Sequence, residues 1–155
     1  MDKTLIITIP HYNNFNGLVK TVQSINESFD IDIVITDDGS PEKLDETLII
    51  SSYKNNGNIF FQYLDVNCGV GIAANKCLQF VKKGSYKYMA RLDAGDICYE
   101  NKFMKQLNFL KANHDIKLVG TWARVLNSNG DFLFNIKHPI NHDEIKKKMF
   151  LNSMF

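Results

Sequence analysis

The chain has 155 residues, 45% of them hydrophobic, which suffices for one compact domain with its own core and not for two ordinary ones. Eighteen basic residues stand against seventeen acidic ones, so no net field gathers polyanions, and nucleic acid is excluded as a charge-driven partner. Three cysteines, odd in number and without metal-type spacing, fit reduced thiols in a cytoplasmic protein rather than a disulfide framework.

Thr4 to Ile9 is β-branched and almost continuously apolar, as a strand buried on both faces of a parallel sheet requires. The run is too short for a signal peptide and is stopped at once by Pro10. Phe15, Leu18, Val19, Val22, Ile25 and Phe29 recur at helical steps and predict a helix covering that sheet. Ile31 to Thr36 reads as a second buried strand, followed by a helix start with Ser40 as N-cap and Pro41 in the first turn. Asn55-Asn56-Gly57-Asn58 is a turn before a third strand, Ile59 to Leu64.

Val70 to Lys83 reads as a helix closed by Gly84. Tyr86 to Leu92 is a fourth strand, and Glu100 to Asn113 a helix with Phe103, Leu107 and Leu110 facing inward. Lys117 to Leu126 and Asp131 to Lys137 then predict two strands joined by the turn Asn127-Ser128-Asn129-Gly130. Strands alternating with helices make βαβ units, hence an α/β domain over 1–155 with a mainly parallel sheet flanked by helices and a late hairpin. No apolar stretch approaches the roughly 20 residues of a membrane-spanning helix.

In an open parallel sheet the ligand crevice lies beyond the carboxyl ends of the strands. Those positions hold Pro10-His11-Tyr12-Asn13-Asn14, Asp37-Asp38-Gly39-Ser40, Asp65-Val66-Asn67-Cys68-Gly69 and Asp93-Ala94-Gly95-Asp96. Any one of these is an ordinary turn composition; four at matching positions are not. Acidic clusters converging on one edge repel unless a cation lies between them, and magnesium or manganese takes carboxylate oxygens together with substrate phosphates. Tyr12 offers a face on which a base can stack, and Asp37 or Asp38 can accept hydrogen bonds from a base edge or ribose.

These motifs, in this order and spacing, resemble glycosyltransferase family 2 on the fold called GT-A, a Rossmann-like nucleotide-diphospho-sugar transferase architecture. The likeness covers essentially the whole chain. Pro10-His11-Tyr12-Asn13 resembles the family's opening strand end and Asp37-Asp38-Gly39-Ser40 its nucleotide-binding acidic loop. Asn67 to Asn75, with Gly69, resembles its glycine-to-asparagine loop and helix start, and Arg91-Leu92-Asp93-Ala94-Gly95-Asp96 lies where the family places its DxD metal motif.

The resemblance implies a hexosyltransferase that binds a nucleoside diphosphate sugar, usually UDP-linked, with magnesium or manganese on the diphosphate. It implies inverting displacement at the anomeric carbon onto a saccharide or lipid-linked acceptor, in cell-surface polysaccharide or lipopolysaccharide synthesis. Substrate-binding candidates are Pro10, Tyr12, Asn13, Asp37, Asp38, Gly39, Gly69, Asn75, Arg91, Asp93 and Asp96, with Asp93 and Asp96 as metal ligands.

Two departures stand out. Gly95 replaces a carboxylate expected at the metal, and Ala74 an arginine that would face the diphosphate. The family's catalytic base and acceptor segment are expected beyond Phe155, so the chain reads as the donor-binding portion of a longer enzyme, inactive in transfer by itself. Such an enzyme is expected in the cytoplasm, peripheral at the inner face of the membrane, with Lys146-Lys147-Lys148 on a solvated helix face.

Gly69-Val70-Gly71-Ile72-Ala73-Ala74 also fits a dinucleotide fingerprint, but it follows the third strand rather than the first and leaves Asp37-Asp38 unexplained. A nucleotidyltransferase would open with a glycine-rich basic loop after Ile9, and none is there; a degenerate nucleotide-sugar-binding module is the other alternative. His138 and His142 are separated by Pro139 and lack a third ligand, Cys98 lacks a base, and Trp122 and the phenylalanines read as core.

Overall fold

The structure, a computed structural model, describes residues 4–149. It divides between Lys105 and Gln106 into two compact units. The first holds four parallel strands, β1 (Leu5–His11), β2 (Asp32–Asp37), β3 (Ile59–Tyr63) and β4 (Tyr88–Arg91), in the order β3-β2-β1-β4. Between them run α1 (Phe15–Ser24), α2 (Glu46–Ser52) and α3 (Val70–Lys83). A fourth helix, α4 (Lys102–Ala112), spans the division.

The strand order fixes where the helices go. From β1 to β2 to β3 the chain steps one way across the sheet, and right-handed crossovers put α1 and α2 on one face. From β3 it returns past β2 and β1 to β4, so α3 crosses the other face, where it packs on β1 and β2. Ile6, Val34 and Cys77 form the buried centre beneath α3, with Phe60, Phe80, Val81 and Tyr86 around them. By strand alternation Ile7, Ile9, Ile33 and Ile35 face the side of α1 and α2, which bury Leu18, Val22 and Ile49. The uninterrupted apolar runs of β1 and β2 are thus explained by burial on both faces.

The second unit contains β5 (Ala123–Leu126) and β6 (Phe132–Ile136), an antiparallel pair, and α5 (His142–Lys148). Three expectations are corrected. Ser40 and Pro41 do not start a helix: α2 begins six residues after Ser40, capped by Asp45, because the Ser40 hydroxyl is held by Asp37 and by the amide of Asn13. Residues 117–122 are not strand, since β6 offers a partner only to Ala123–Leu126 and ends before the segment reaches Pro139.

Trp122, Phe132 and Phe134 are not core: each is about half exposed, because a two-stranded ribbon has no covering layer of its own and α5 buries nothing. His138 lies outside α5, with its carbonyl accepting from Trp122 Nε1, so it shares no helix face with His142. Lys146, Lys147 and Lys148 form the exposed last turn of α5.

Candidate nucleotide-sugar site

The carboxyl ends of the four parallel strands are laced together in sheet order. At the β3–β2 junction, the Asp38 carboxylate accepts the amides of Cys68 at 2.9 Å and Gly69 at 2.8 Å. At the β2–β1 junction, the Asn13 amide donates to Ser40 Oγ at 2.8 Å, and His11 Nδ1 lies 2.7 Å from Asp37 Oδ1. At the β1–β4 junction, Asn14 Nδ2 donates to the carbonyl of Ala94 at 3.0 Å. This last junction is where the strand order reverses, the position at which open α/β sheets leave a crevice. The two acidic loops therefore lie on one edge of the first unit, on either side of the loop that follows β1.

Each candidate has a place. Pro10 is buried at the end of β1; Tyr12 is 46% exposed beyond it, and Asn13 takes a left-handed φ of 46° that turns the chain toward Ser40. Asp37 and Asp38 are buried and occupied. Asp37 accepts from His11 and from the Ser40 hydroxyl and amide, while Asp38 holds the start of α3. Gly39, at φ 69°, passes so close to the backbone of Val66 that a Cβ would lie 2.4 Å from its carbonyl carbon.

Gly69 caps α3 with its amide on Asp38, and Asn75 is exposed on that helix. Arg91 and Asp93 are exposed and paired, Nε to Oδ1 at 3.0 Å. Asp96 is exposed in the same loop, yet nearby protein partly desolvates its carboxyl and Asp93 repels it. Both effects raise its pKa, against the pull of Lys102.

Among the described residues no group of three or more His, Cys, Asp or Glu side chains converges on one point. Two like-charged carboxylates in one turn nonetheless suit magnesium or manganese, which takes one or two carboxylates and completes its shell with substrate phosphates and water. Gly95 is not free to be a third: its φ of 111° is a left-handed conformation that L residues adopt with strain.

Several functional residues escaped the sequence reading. His11 is one: the Asn14 amide donates to its Nε2 at 3.1 Å, so the ring proton sits on Nδ1, toward Asp37. Ser40 donates to Asp37 rather than to His11, so the three do not form a nucleophile and base. Thr21 and Ser24 on α1 and Glu27 in the loop after it, three residues apart in turn, catch the amides of Gly95 at 2.8 Å, Cys98 at 2.9 Å, and Phe103 and Met104 at 2.7 and 3.0 Å. The available signal was polar residues interrupting the apolar stripe of α1. Cys98 is buried and its thiol pKa is pushed up chiefly by burial, which disfavours the thiolate a nucleophile needs.

The sequence model described as Glycosyl transferase family 2 matches residues 6–155. An uncharacterized glycosyltransferase of Methanocaldococcus jannaschii is 31% identical over 157 residues, covering 97% of this chain and 52% of its own length. The O-antigen biosynthesis glycosyltransferase WbnJ of Escherichia coli is 35% identical over 75 residues, covering 48% of this chain and 29% of WbnJ. The chain thus spans about half the first relative's length and less of the second. Crystal structures of S. aureus TarS 1-349 share the fold. The complex with UDP superposes with a TM-score of 0.60 at 18% identity, covering 82% of this chain and 43% of the TarS 1-349 chain. The complex with UDP-GlcNAc gives 0.53 at 19% identity. The parallel sheet flanked by helices, with its late hairpin, is the GT-A architecture.

Proposed function

The chain belongs to glycosyl transferase family 2, and on that premise we propose that it binds a UDP-linked sugar for transfer, with inversion, to a saccharide or lipid-linked acceptor of a cell-surface polysaccharide or lipopolysaccharide. The observation that carries the reading is the lacing of four strand-end loops at one sheet edge, with a conformationally fixed acidic turn at the reversal of strand order. Support for the nucleotide comes from TarS, which shares the fold and was crystallised with UDP and UDP-GlcNAc; support for the setting comes from the O-antigen enzyme WbnJ.

In this reading Tyr12 stacks on the base. Asp38, whose oxygens each accept one amide and keep a further lone pair, meets the base edge or ribose. Asp37 holds the loop rather than the ligand, through His11 and Ser40. Asp93 and Asp96 hold magnesium or manganese, which when bound neutralises charge on the departing diphosphate. Arg91 orients Asp93 and adds a positive charge beside the phosphates. No helix among the described residues is long and apolar enough to cross a membrane, and membrane association would rest on the exposed lysines of α5.

Calorimetry tests the donor reading. UDP is expected to bind more tightly with manganese than without it, and Asp93→Ala and Asp96→Ala should each remove the manganese-dependent part. Binding of NAD in place of UDP, or equal binding by both variants and the wild type, would overturn the assignment.

A further inference from the structure

Asp93 to Asp96 form a β-turn, closed by the Asp96 amide on the Asp93 carbonyl at 3.1 Å, with Gly95 at the third position and φ positive. The central peptide of such a turn joins Ala94 to Gly95, and its two polar ends are both taken from outside the turn. Asn14 Nδ2 donates to the Ala94 carbonyl at 3.0 Å, and the Gly95 amide donates to Thr21 Oγ1 at 2.8 Å. Neither partner is loose. Thr21 is fully buried and its hydroxyl donates in turn to the Gly17 carbonyl. The Asn14 side-chain oxygen, Oδ1, accepts from the Gly17 amide as the N-cap of α1. The N-cap of α1 and a residue two turns further along it therefore hold one peptide at both ends.

Turns of types I and II differ by a rotation of about 180° of this central peptide, and the positive φ at the third position belongs to type II. A turn of four residues in an exposed loop has little else to choose between them. Rotating the peptide would break both bonds and release the turn, with Asp93 and Asp96 at its two ends, from α1.

We infer that Asn14 and Thr21 act as a clamp that holds the Ala94–Gly95 peptide at both ends, anchors the turn to α1 and so keeps the two carboxylates in place for a metal ion and a diphosphate. They are positioning residues, acting through the turn. The inference rests on the donor reading above and deepens it. It also accounts for Gly95: the residue is glycine because the clamped peptide demands a left-handed φ there, so a carboxylate at this position is exchanged for a turn held in one state.

The test is calorimetry on the full chain with UDP plus manganese, UDP alone, and uridine as a probe of the base end. Thr21→Val keeps the shape and removes the acceptor; it should weaken manganese-supported UDP binding about tenfold, the effect of losing one partner of a buried hydrogen bond. Uridine binding should be unchanged, and Thr21→Ser should restore the wild-type value. Should Thr21→Val fold poorly, Gly95→Ala strains the same peptide from the exposed side and should show the same split. The clamp is refuted if either variant binds manganese and UDP as the wild type does, if uridine binding falls in step, or if Thr21→Ser is as impaired as Thr21→Val. Wild-type protein that ignores UDP, or that binds it without regard to manganese, overturns the donor reading itself and the clamp with it, an outcome visible before any variant is made.

Discussion

His11 and Asp37 are register partners on adjacent parallel strands, and their side chains meet at 2.7 Å between Nδ1 and Oδ1, almost wholly buried. The pair joins the loop after β1 to the loop after β2, because the far side of the ring accepts the Asn14 amide while Asp37 also holds Ser40. Removing the ring strands a buried carboxylate and an amide together. His11→Ala is expected to cost about 3 kcal/mol, the range for taking a hydrogen-bond donor from a buried charged group. Chemical denaturation reads it as a lower midpoint at unchanged slope. A loss below about 1 kcal/mol would mean that Ser40 alone supports Asp37.

Asp38 has a different task, since its two oxygens accept two successive amides, those of Cys68 and Gly69, at the point where α3 begins. Asp38→Ala removes the acceptor of both amides, but Cys68 is exposed, Gly69 is half-buried and the Gly69 amide also donates to Asn67 Oδ1 at 3.1 Å, so water and Asn67 offset part of the loss and the variant should cost about 1–2 kcal/mol. Asp38→Asn keeps one acceptor oxygen and should lose roughly half as much. Equal losses in the two variants would point to packing rather than to the hydrogen bonds.

Local chemistry made part of this molecule readable and long-range contacts hid the rest. The strand around Ile6–Ile9 and the helix closed by Gly84 were legible because burial on both faces and a helix stop each write themselves into a few neighbouring residues. Ser40-Pro41 misled because the same residues that start a helix also close a loop, and the choice lay with Asn13, 27 positions away. Trp122 and Phe132 misled because apolarity predicts burial only where another layer exists to cover it. At the site, the residue types at the strand ends marked out the polar loops that meet on one sheet edge, whereas Thr21 and His11 acquire meaning only from partners 74 and 26 positions distant.

Gly39 and Gly69 both have positive φ, but their surroundings differ. A Cβ on Gly39 would meet Val66 backbone at 2.4 Å, where nothing flexible can yield; a Cβ on Gly69 meets nothing within 4 Å. Gly39→Ala should therefore cost about 4 kcal/mol or more, from collision added to strain, and Gly69→Ala about 2 kcal/mol, from strain alone. Thermal or urea unfolding of the two variants side by side measures the difference. Near-equal losses would indicate that the loop after β3 gives way and that the tight approach is not a constraint.

Asp96 separates stability from binding. Its carboxyl pKa is raised above the ordinary 3.8, first by partial desolvation and then by Asp93. A raised acid holds its proton better in the folded than in the unfolded chain. Its contribution to stability is therefore complete below the unfolded value and is lost as pH rises through the folded one. Asp96→Asn is neutral at every pH and escapes that loss. At pH 7 the variant should be the more stable protein, by less than about 1 kcal/mol because the group is largely exposed to solvent. The two unfolding curves should converge as the pH falls below about 4. The same variant should lose the manganese-dependent part of UDP binding. A carboxylate that lowers stability when empty and is needed when a cation arrives is what a binding group looks like. A variant less stable than wild type at pH 7 would instead make Asp96 a structural residue of the turn.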